Sequence, residues 1–436
     1  MSKSKPKPLT GLAYMNRFRC IGPDCEETCC YGWRINLPRA EYEDLTGIYG
    51  SQRDGFACFE LNSLPEGVPE RLANESFAFL KMKEDLFCPF LDKGLCVIHR
   101  DHGESHLPTV CATYPRRILE LPREDVLTGS LSCPEMARVC LLDDDAMQPV
   151  ILDRDQLPQK IEAATTEPEP THYYARYYGA INAYIKWVLA QKELKVRDSA
   201  FLFLTLAVEI QPFFYRGVNE NPASKLDEVL GRFADPHFIV ERVKAFRGLP
   251  ELQNDHVIEL VLGAIVAGIK QRRSPIFAAL AVRVLQGLPE VVAASGKGEI
   301  SLELPVGDIR RRALDRGARL DAVFGPRLEA ILRRFTVNFW VQNLFVDEPD
   351  LLFQVRKYLF YLGSIRFLLV NHPALLDSLS STEAEATPVF EKAVVEVVQS
   401  FLRAYDHDGR ILRGVLDGMQ PLGLDRLETL RDLLLV

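Results

Sequence analysis

Cys20-Ile-Gly-Pro-Asp-Cys25-Glu-Glu-Thr-Cys29-Cys30-Tyr-Gly-Trp33 places four sulfurs within eleven residues. Gly22, Pro23 and Gly32 turn the backbone between them, so this stretch can wrap a small inorganic centre. Cys58, Cys88, Cys96, Cys111, Cys133 and Cys140 follow, and the last 296 of the 436 residues hold no cysteine. Thiols concentrated in this way serve one purpose, which can be a disulfide frame, a metal or iron–sulfur site, or redox catalysis.

Composition narrows the choice. Hydrophobic residues make up 47% and charged residues 26%, as in a globular protein, and a chain this long builds its core without staples. Disulfide frames belong mostly to small secreted domains. The opening MSKSKPKPLTGLAYMNRFRC has three lysines but no apolar signal core. The longest apolar stretch, Leu260–Ile269, is ten residues between Glu259 and Lys270, too short for a membrane span. The expected compartment is a reducing cytoplasm, where thiols stay free or bind metal. Net charge is −8, and the first 150 residues carry 17 Lys and Arg against 23 Asp and Glu. No basic footprint for nucleic acid is present.

The expected fold is mainly α: an irregular cysteine-rich metal-binding domain over residues 1–146, packed on a larger all-helical domain over residues 172–436. The stretch Met147–Thr171, with Pro149, Pro158, Pro168 and Pro170, reads as a linker. Beyond it Tyr173, Tyr177, Ala180, Tyr184 and Trp187 recur at helical steps. Further helices are expected over Asp198–Ile210, Lys225–Phe233, His237–Phe246, Leu252–Gln271, Pro275–Gln286, Arg327–Phe345, Leu351–Leu369 and Glu385–Tyr405. Gly287–Asp308 is a break, with a short strand expected at Glu299–Leu304.

Iron–sulfur cubanes commonly take four thiolates, and structural zinc takes four Cys or Cys/His ligands. Either can be built by joining the first cysteine group to Cys88, Cys96, Cys111 and Cys133. The radical S-adenosylmethionine spacing C-x3-C-x2-C fails, because its third position is Gly32. No Gly-rich strand–turn–helix for a nucleotide appears. Cys58 and Cys140 stand apart and read as buried small hydrophobes. His102 and His106 share an i, i+4 spacing that suits zinc, but Gly103 weakens that helix; with His99 they read as exposed.

Four blocks carry a family resemblance in order: FRCIGPDCEETCCYGWRI (18–35), FCPFLDKGLCVIH (87–99), GESHLPTVCATYPRR (103–117) and LTGSLSCPEMAR (127–138). Together they resemble the flagellin lysine N-methylase (FliB-like) family, part of a wider cysteine-cluster group of zinc- or iron-chelating domains. FTVNFWVQNLF (335–345) resembles that family's later region less specifically. The resemblance implies methyl transfer to lysine ε-amines of flagellin or another protein, with S-adenosylmethionine as donor. It implies a [4Fe–4S] cluster with ligands drawn from Cys20, Cys25, Cys29, Cys30, Cys88, Cys96, Cys111 and Cys133, zinc being the alternative.

That chemistry needs a neutral amine, although lysine titrates near about 10.4 in water. Burial in an aromatic slot lowers that value, and a Tyr, Asp or Glu can take the proton. The helix His172–Trp187 could line such a slot, though core packing is its plainer role. Tyr114 and Arg116, beside Cys111, are the catalytic candidates; Arg116 can pair with a donor carboxylate or with cluster charge, or form a surface salt bridge. Two other readings compete: a non-enzymatic metal-binding interaction protein, and an iron–sulfur oxidoreductase.

Overall fold

A computed structural model describes residues 7–63, 65, 67–121, 123–157, 161, 163–165, 178–214, 222–249, 254–295, 304–343, 351–407, 409–419 and 427–434. The protein is mainly α. All regular elements described after residue 177 are helical, and among the described residues no helix is long and apolar enough to cross a membrane.

The first third is less irregular than its Gly, Pro and Cys content suggests. Leu9–Leu12 pairs in parallel with Asp125–Gly129 and antiparallel with Pro149–Ile151. Arg116–Glu120 continues the sheet beside Asp125–Gly129, and Ala163–Thr165 closes its far edge. Two of the five strands thus come from the stretch read as a linker. Prolines do not prevent this, because both strands lie at sheet edges, where a missing N–H is tolerated.

The interior divides into two cores, and the division does not fall at residue 146. The smaller packs Ile35, Leu37, Leu45, Ala78, Leu80, Phe90, Val97 and Ile98 around the sheet of Ile35–Leu37, Ala78–Leu80 and Phe59–Leu61. The larger runs without a break from Leu9, Tyr14, Phe18, Leu127 and Met136 into the helices. Asn338 of the long helix Val306–Gln342 ties the two ends of the chain, donating to the Gly129 carbonyl at 3.2 Å and accepting from the Tyr14 hydroxyl.

That long helix passes through Pro326, where the sequence suggests a start at Arg327. A mid-helix proline costs about 3 kcal/mol. Leu320, Phe324, Leu328, Ile331, Phe335 and Phe339 keep one apolar stripe buried on both sides of it. Phe324 also stacks on Phe390 with ring centres 4.3 Å apart. Burying several such side chains outweighs the penalty. The remaining expected helices are present with ends shifted by a few residues, except Leu252–Gln271, which begins at His256. Tyr173, Tyr177 and most of Glu299–Leu304 lie outside the described residues. Tyr184 is buried against Phe233, so its helix Tyr178–Ala190 packs into the core rather than lining a slot.

Candidate functional site

The Cys20–Trp33 loop is fastened to the later cysteine segments by backbone bonds. The Gly32 N–H donates to Leu86 at 3.0 Å and the Cys88 N–H to Cys30 at 2.9 Å. Between them Tyr31 bridges Phe87, with ring centres 5.0 Å apart. Cys96 sits opposite Leu91 in a short hairpin. The hairpin turns at Gly94 (φ +79°), where an added Cβ would lie 3.1 Å from that of Pro23. Glycine at 94 therefore lets the Cys96 hairpin press against the Cys20–Cys25 turn. Cys111 lies on the short helix Thr109–Thr113, and Cys133 caps the helix Pro134–Leu141.

All ten cysteines are free thiols, and Cys29 acts through its charge on six others. Its sulfur accepts from Cys30, and with help from the Arg403 charge this pulls the Cys29 thiol down to about 7. Cys30 moves up for the converse reason, with burial adding to it. Burial pushes Cys88 and Cys133 up to about 12 and raises Cys25, Cys96 and Cys111, and repulsion from Cys29 adds to each. Cys20 in turn acts on Cys25. Cys58 is raised mainly by its own burial among Arg53, Asp54 and Lys83, and Cys140 by burial beside Arg334. Cys25, Cys30, Cys88, Cys96, Cys111 and Cys133 thus feel the Cys29 charge, and Cys58 acts in turn on Cys88. Among the described residues, however, no three His, Cys, Asp or Glu side chains stand at the spacing that holds a single metal ion. His99 and His102 are exposed, and His106 is bonded to Asp44 at 2.8 Å, so none of the three joins the thiols.

The carboxy-terminal helix Glu383–Tyr405 supplies what the cysteine blocks lack. Arg403, only 2% exposed, donates through Nη2 to the carbonyls of Thr28 at 2.9 Å and Tyr31 at 3.0 Å. Those carbonyls flank Cys29 and Cys30. Glu27, equally buried, lies 3.8 Å from Arg403 and accepts from Ser274 at 2.7 Å and from Gln399 at 2.5 Å. Gln399 also donates to the Ser132 carbonyl at 3.1 Å, which anchors the segment bearing Cys133. Arg403 Nη1 has no hydrogen-bond partner despite its burial. A buried guanidinium donor left unbonded is costly and calls for a ligand or solvent partner.

Beside Arg403 stands an aromatic group. Trp33 meets Tyr114 edge-on at 4.9 Å and His407 at 4.8 Å, with the Arg403 guanidinium 5.9 Å from its ring centre. The Tyr114 hydroxyl is 3.0 Å from Ser132 Oγ, which is 2.7 Å from His407 Nε2. Burial drives the Tyr114 phenol far above its ordinary range, with the Cys133 charge adding to it. Tyr114 therefore stays protonated and is no proton acceptor at neutral pH. Burial lowers His407 below its ordinary 6.5; Asp406 opposes this, and Arg403, Arg273 and Lys357 reinforce it. The imidazole is thus neutral at pH 7 and can accept a proton. Arg116 is half-buried over the Phe18 ring at 4.7 Å, near enough to Cys20 and Cys133 to interact with their charge. An open cavity of about 470 Å³, lined by Arg273, His407, Gly409, Arg410 and Arg413, adjoins the group at His407.

Over 315 residues the chain is 26% identical to the lysine-N-methylase of Salmonella typhimurium, covering 64% of this chain and 73% of that one. The chain is thus similar, at a distance, to lysine-N-methylases. The lysine-N-methylase of Salmonella choleraesuis matches with the same identity and coverage. The flagellar biosynthetic protein FliU of Salmonella muenchen is 29% identical over 149 residues, 32% of this chain and 80% of that one. No family model and no solved structure matches the chain.

Sequence reasoning named the thiols and Tyr114 as candidates and did not so name Glu27, Trp33, Gln399, Arg403 or His407, which the fold places beside them. One signal was available: Gln399 and Arg403 are polar residues at i, i+4 on a helix whose stretch from Val397 to Tyr405 is otherwise apolar but for Ser400.

Proposed function

We propose that the protein is a protein-lysine N-methyltransferase that uses S-adenosylmethionine, carries a thiolate-bound [4Fe–4S] centre, and acts on flagellin or another protein. The similarity to lysine-N-methylases over 315 residues carries the reading. The gathering of six thiols within reach of the Cys29 charge supports the metal centre. Four thiolates on one zinc ion lie only about 3.8 Å apart, as Zn–S bonds of about 2.3 Å in a tetrahedron require. Soft sulfur donors suit iron–sulfur chemistry, with zinc the alternative.

The sulfonium donor supplies an electrophilic methyl carbon: the amine lone pair forms the C–N bond while the C–S bond breaks and its pair stays on sulfur. No electron leaves or enters, so the thiol-bound centre has an organising role. A centre held by thiols of the Cys20–Trp33 loop and by Cys133 would add to the bonds that hold the loop, and with it Trp33, in place. A lysine amine brought beside the buried Tyr114, Ser132 and His407 group meets dry surroundings that disfavour its ammonium form. The released proton passes through Ser132 Oγ to His407 Nε2, while Tyr114 keeps its proton and orients Ser132.

Purified protein given methyl-labelled S-adenosylmethionine and flagellin tests the reading. Label on flagellin lysines, located by mass spectrometry, is the expected result. No label on flagellin or on any other protein of the host cell overturns it in favour of a non-enzymatic binding protein.

A further inference from the structure

We propose that Arg403 is part of the metal centre: its Nη1 donates a hydrogen bond to the Cys29 sulfur of that centre, and its charge balances the anion that the thiolates build there. The inference rests on the metal-centre part of the reading above. Arg403 is 2% exposed, and its guanidinium is only partly satisfied. Nη2 is taken by the carbonyls of Thr28 at 2.9 Å and Tyr31 at 3.0 Å, and Nε faces the Arg273 carbonyl at 3.5 Å and Glu27 at 3.8 Å. Nη1 is the corner left over, buried and without a partner in the protein. An orphaned charged donor is costly in the interior and marks where an acceptor belongs.

The two carbonyls bracket Cys29 and Cys30, and Thr28 Oγ1 accepts from the Cys30 N–H at 3.2 Å. The guanidinium therefore lies against the turn that carries both sulfurs. Its charge reaches Cys29, Tyr114 and His407. The Tyr114 hydroxyl and His407 Nε2 are both engaged with Ser132 Oγ, at 3.0 and 2.7 Å, which leaves the Cys29 sulfur as the acceptor. Glu27 lies on the Nε side and accepts from Ser274 and Gln399, so the positive end of the pair is turned toward Cys29. A metal core on thiolates is a net anion, costly to bury unless a cation or N–H donors meet it. Hydrogen bonds to the sulfurs and nearby charge govern the properties of such centres. Two further arginines reach thiols, Arg53 at Cys96 and Arg116 at Cys20 and Cys133, and they supply the controls.

Pulsed electron paramagnetic resonance on the intact, anaerobically purified and reduced protein, with its arginine nitrogens isotope-labelled, tests this. A nitrogen that donates to a sulfur ligand couples to the unpaired electron, and a residue with a merely structural role gives no such signal. An arginine coupling is expected that survives Arg53→Lys and Arg116→Lys and is lost in Arg403→Lys, which keeps the charge but has no Nη1. Should Arg403→Lys hold too little iron to read, persistence of the coupling in both controls supports Arg403, and its loss in either overturns the inference. Bound iron with no arginine coupling, or a coupling that outlasts Arg403→Lys, also overturns it and leaves the metal centre standing. Zinc alone, or no metal, removes the iron–sulfur centre itself, and the inference falls with that part of the reading; methyl transfer is then judged by its own assay.

Discussion

Replacing Arg403 with Met tests how the carboxy-terminal helix holds the cysteine loop. The guanidinium bonds the Thr28 and Tyr31 carbonyls and lies 3.8 Å from Glu27, with both side chains almost fully buried. Methionine keeps the length of the stem and much of its packing but leaves two carbonyls unbonded and the Glu27 carboxylate without its cation. Breaking a buried pair from one side costs about 3–5 kcal/mol. The lower end applies here, because Ser274 and Gln399 still donate to Glu27. For 436 residues the unfolding entropy is about 0.9 kcal/mol per degree, so the midpoint should drop about 3–4 °C. The change should also reach the thiols, lowering metal retained per chain and raising the Cys29 pKa, since Arg403 no longer favours its thiolate. Arg311→Met is the control: its partner Asp308 is one helical turn away and both are exposed, so the midpoint should move by well under a degree. Circular dichroism melting and metal analysis of the three proteins measure both effects. A midpoint and metal content for Arg403→Met equal to the control would refute the anchoring role.

Other expectations follow from the same geometry. Ser at Cys29, Cys88 or Cys111 should remove the visible absorbance of the metal centre. Ser at Cys140 should cost about 1–3 kcal/mol by burying an unpaired hydroxyl in the larger core yet leave the absorbance, and equal bleaching in all four would count against the assignment. Gly94→Ala places a side chain at φ +79° against Pro23 and should cost about 1–2 kcal/mol and loosen the metal, as melting and metal analysis would show. His407→Gln should slow methyl transfer about 100-fold or more. In the native protein the acid limb of kcat/KM should lie below pH 6.5, because a depressed pKa keeps the imidazole neutral to lower pH; a limb above 6.5 would exclude His407 as acceptor. The same depression means that the unfolded chain binds a proton that the folded ring refuses. Stability therefore falls as pH drops from 6.5 to the folded pKa and changes no further on this account below it.

The helices were readable because their apolar residues repeat every three or four positions and Ser or Thr caps open several of them, as at Ser274 and Thr382. The thiols were readable because their crowding is visible along the chain. What escaped depends on distance. Arg403 lies 375 positions from Thr28, and His407 lies 275 from Ser132. No local pattern encodes either contact. The five-stranded sheet escaped because its strands are three to five residues long and two lie in a proline-bearing stretch. Pro326 misled for the opposite reason: a strong local breaker is overruled by the buried stripe on both sides of it. Tyr114 was named for its place beside Cys111, and its burial, which keeps its proton on, could not be read from that place.

Iron and acid-labile sulfide, determined on oxygen-protected protein together with a count of reactive thiols, bear most directly on the sulfur hub around Cys29. About four of each per chain are expected, with four thiols shielded as ligands and the centre lost in Cys29→Ser. Ten freely reactive thiols with neither iron nor zinc bound would contradict it.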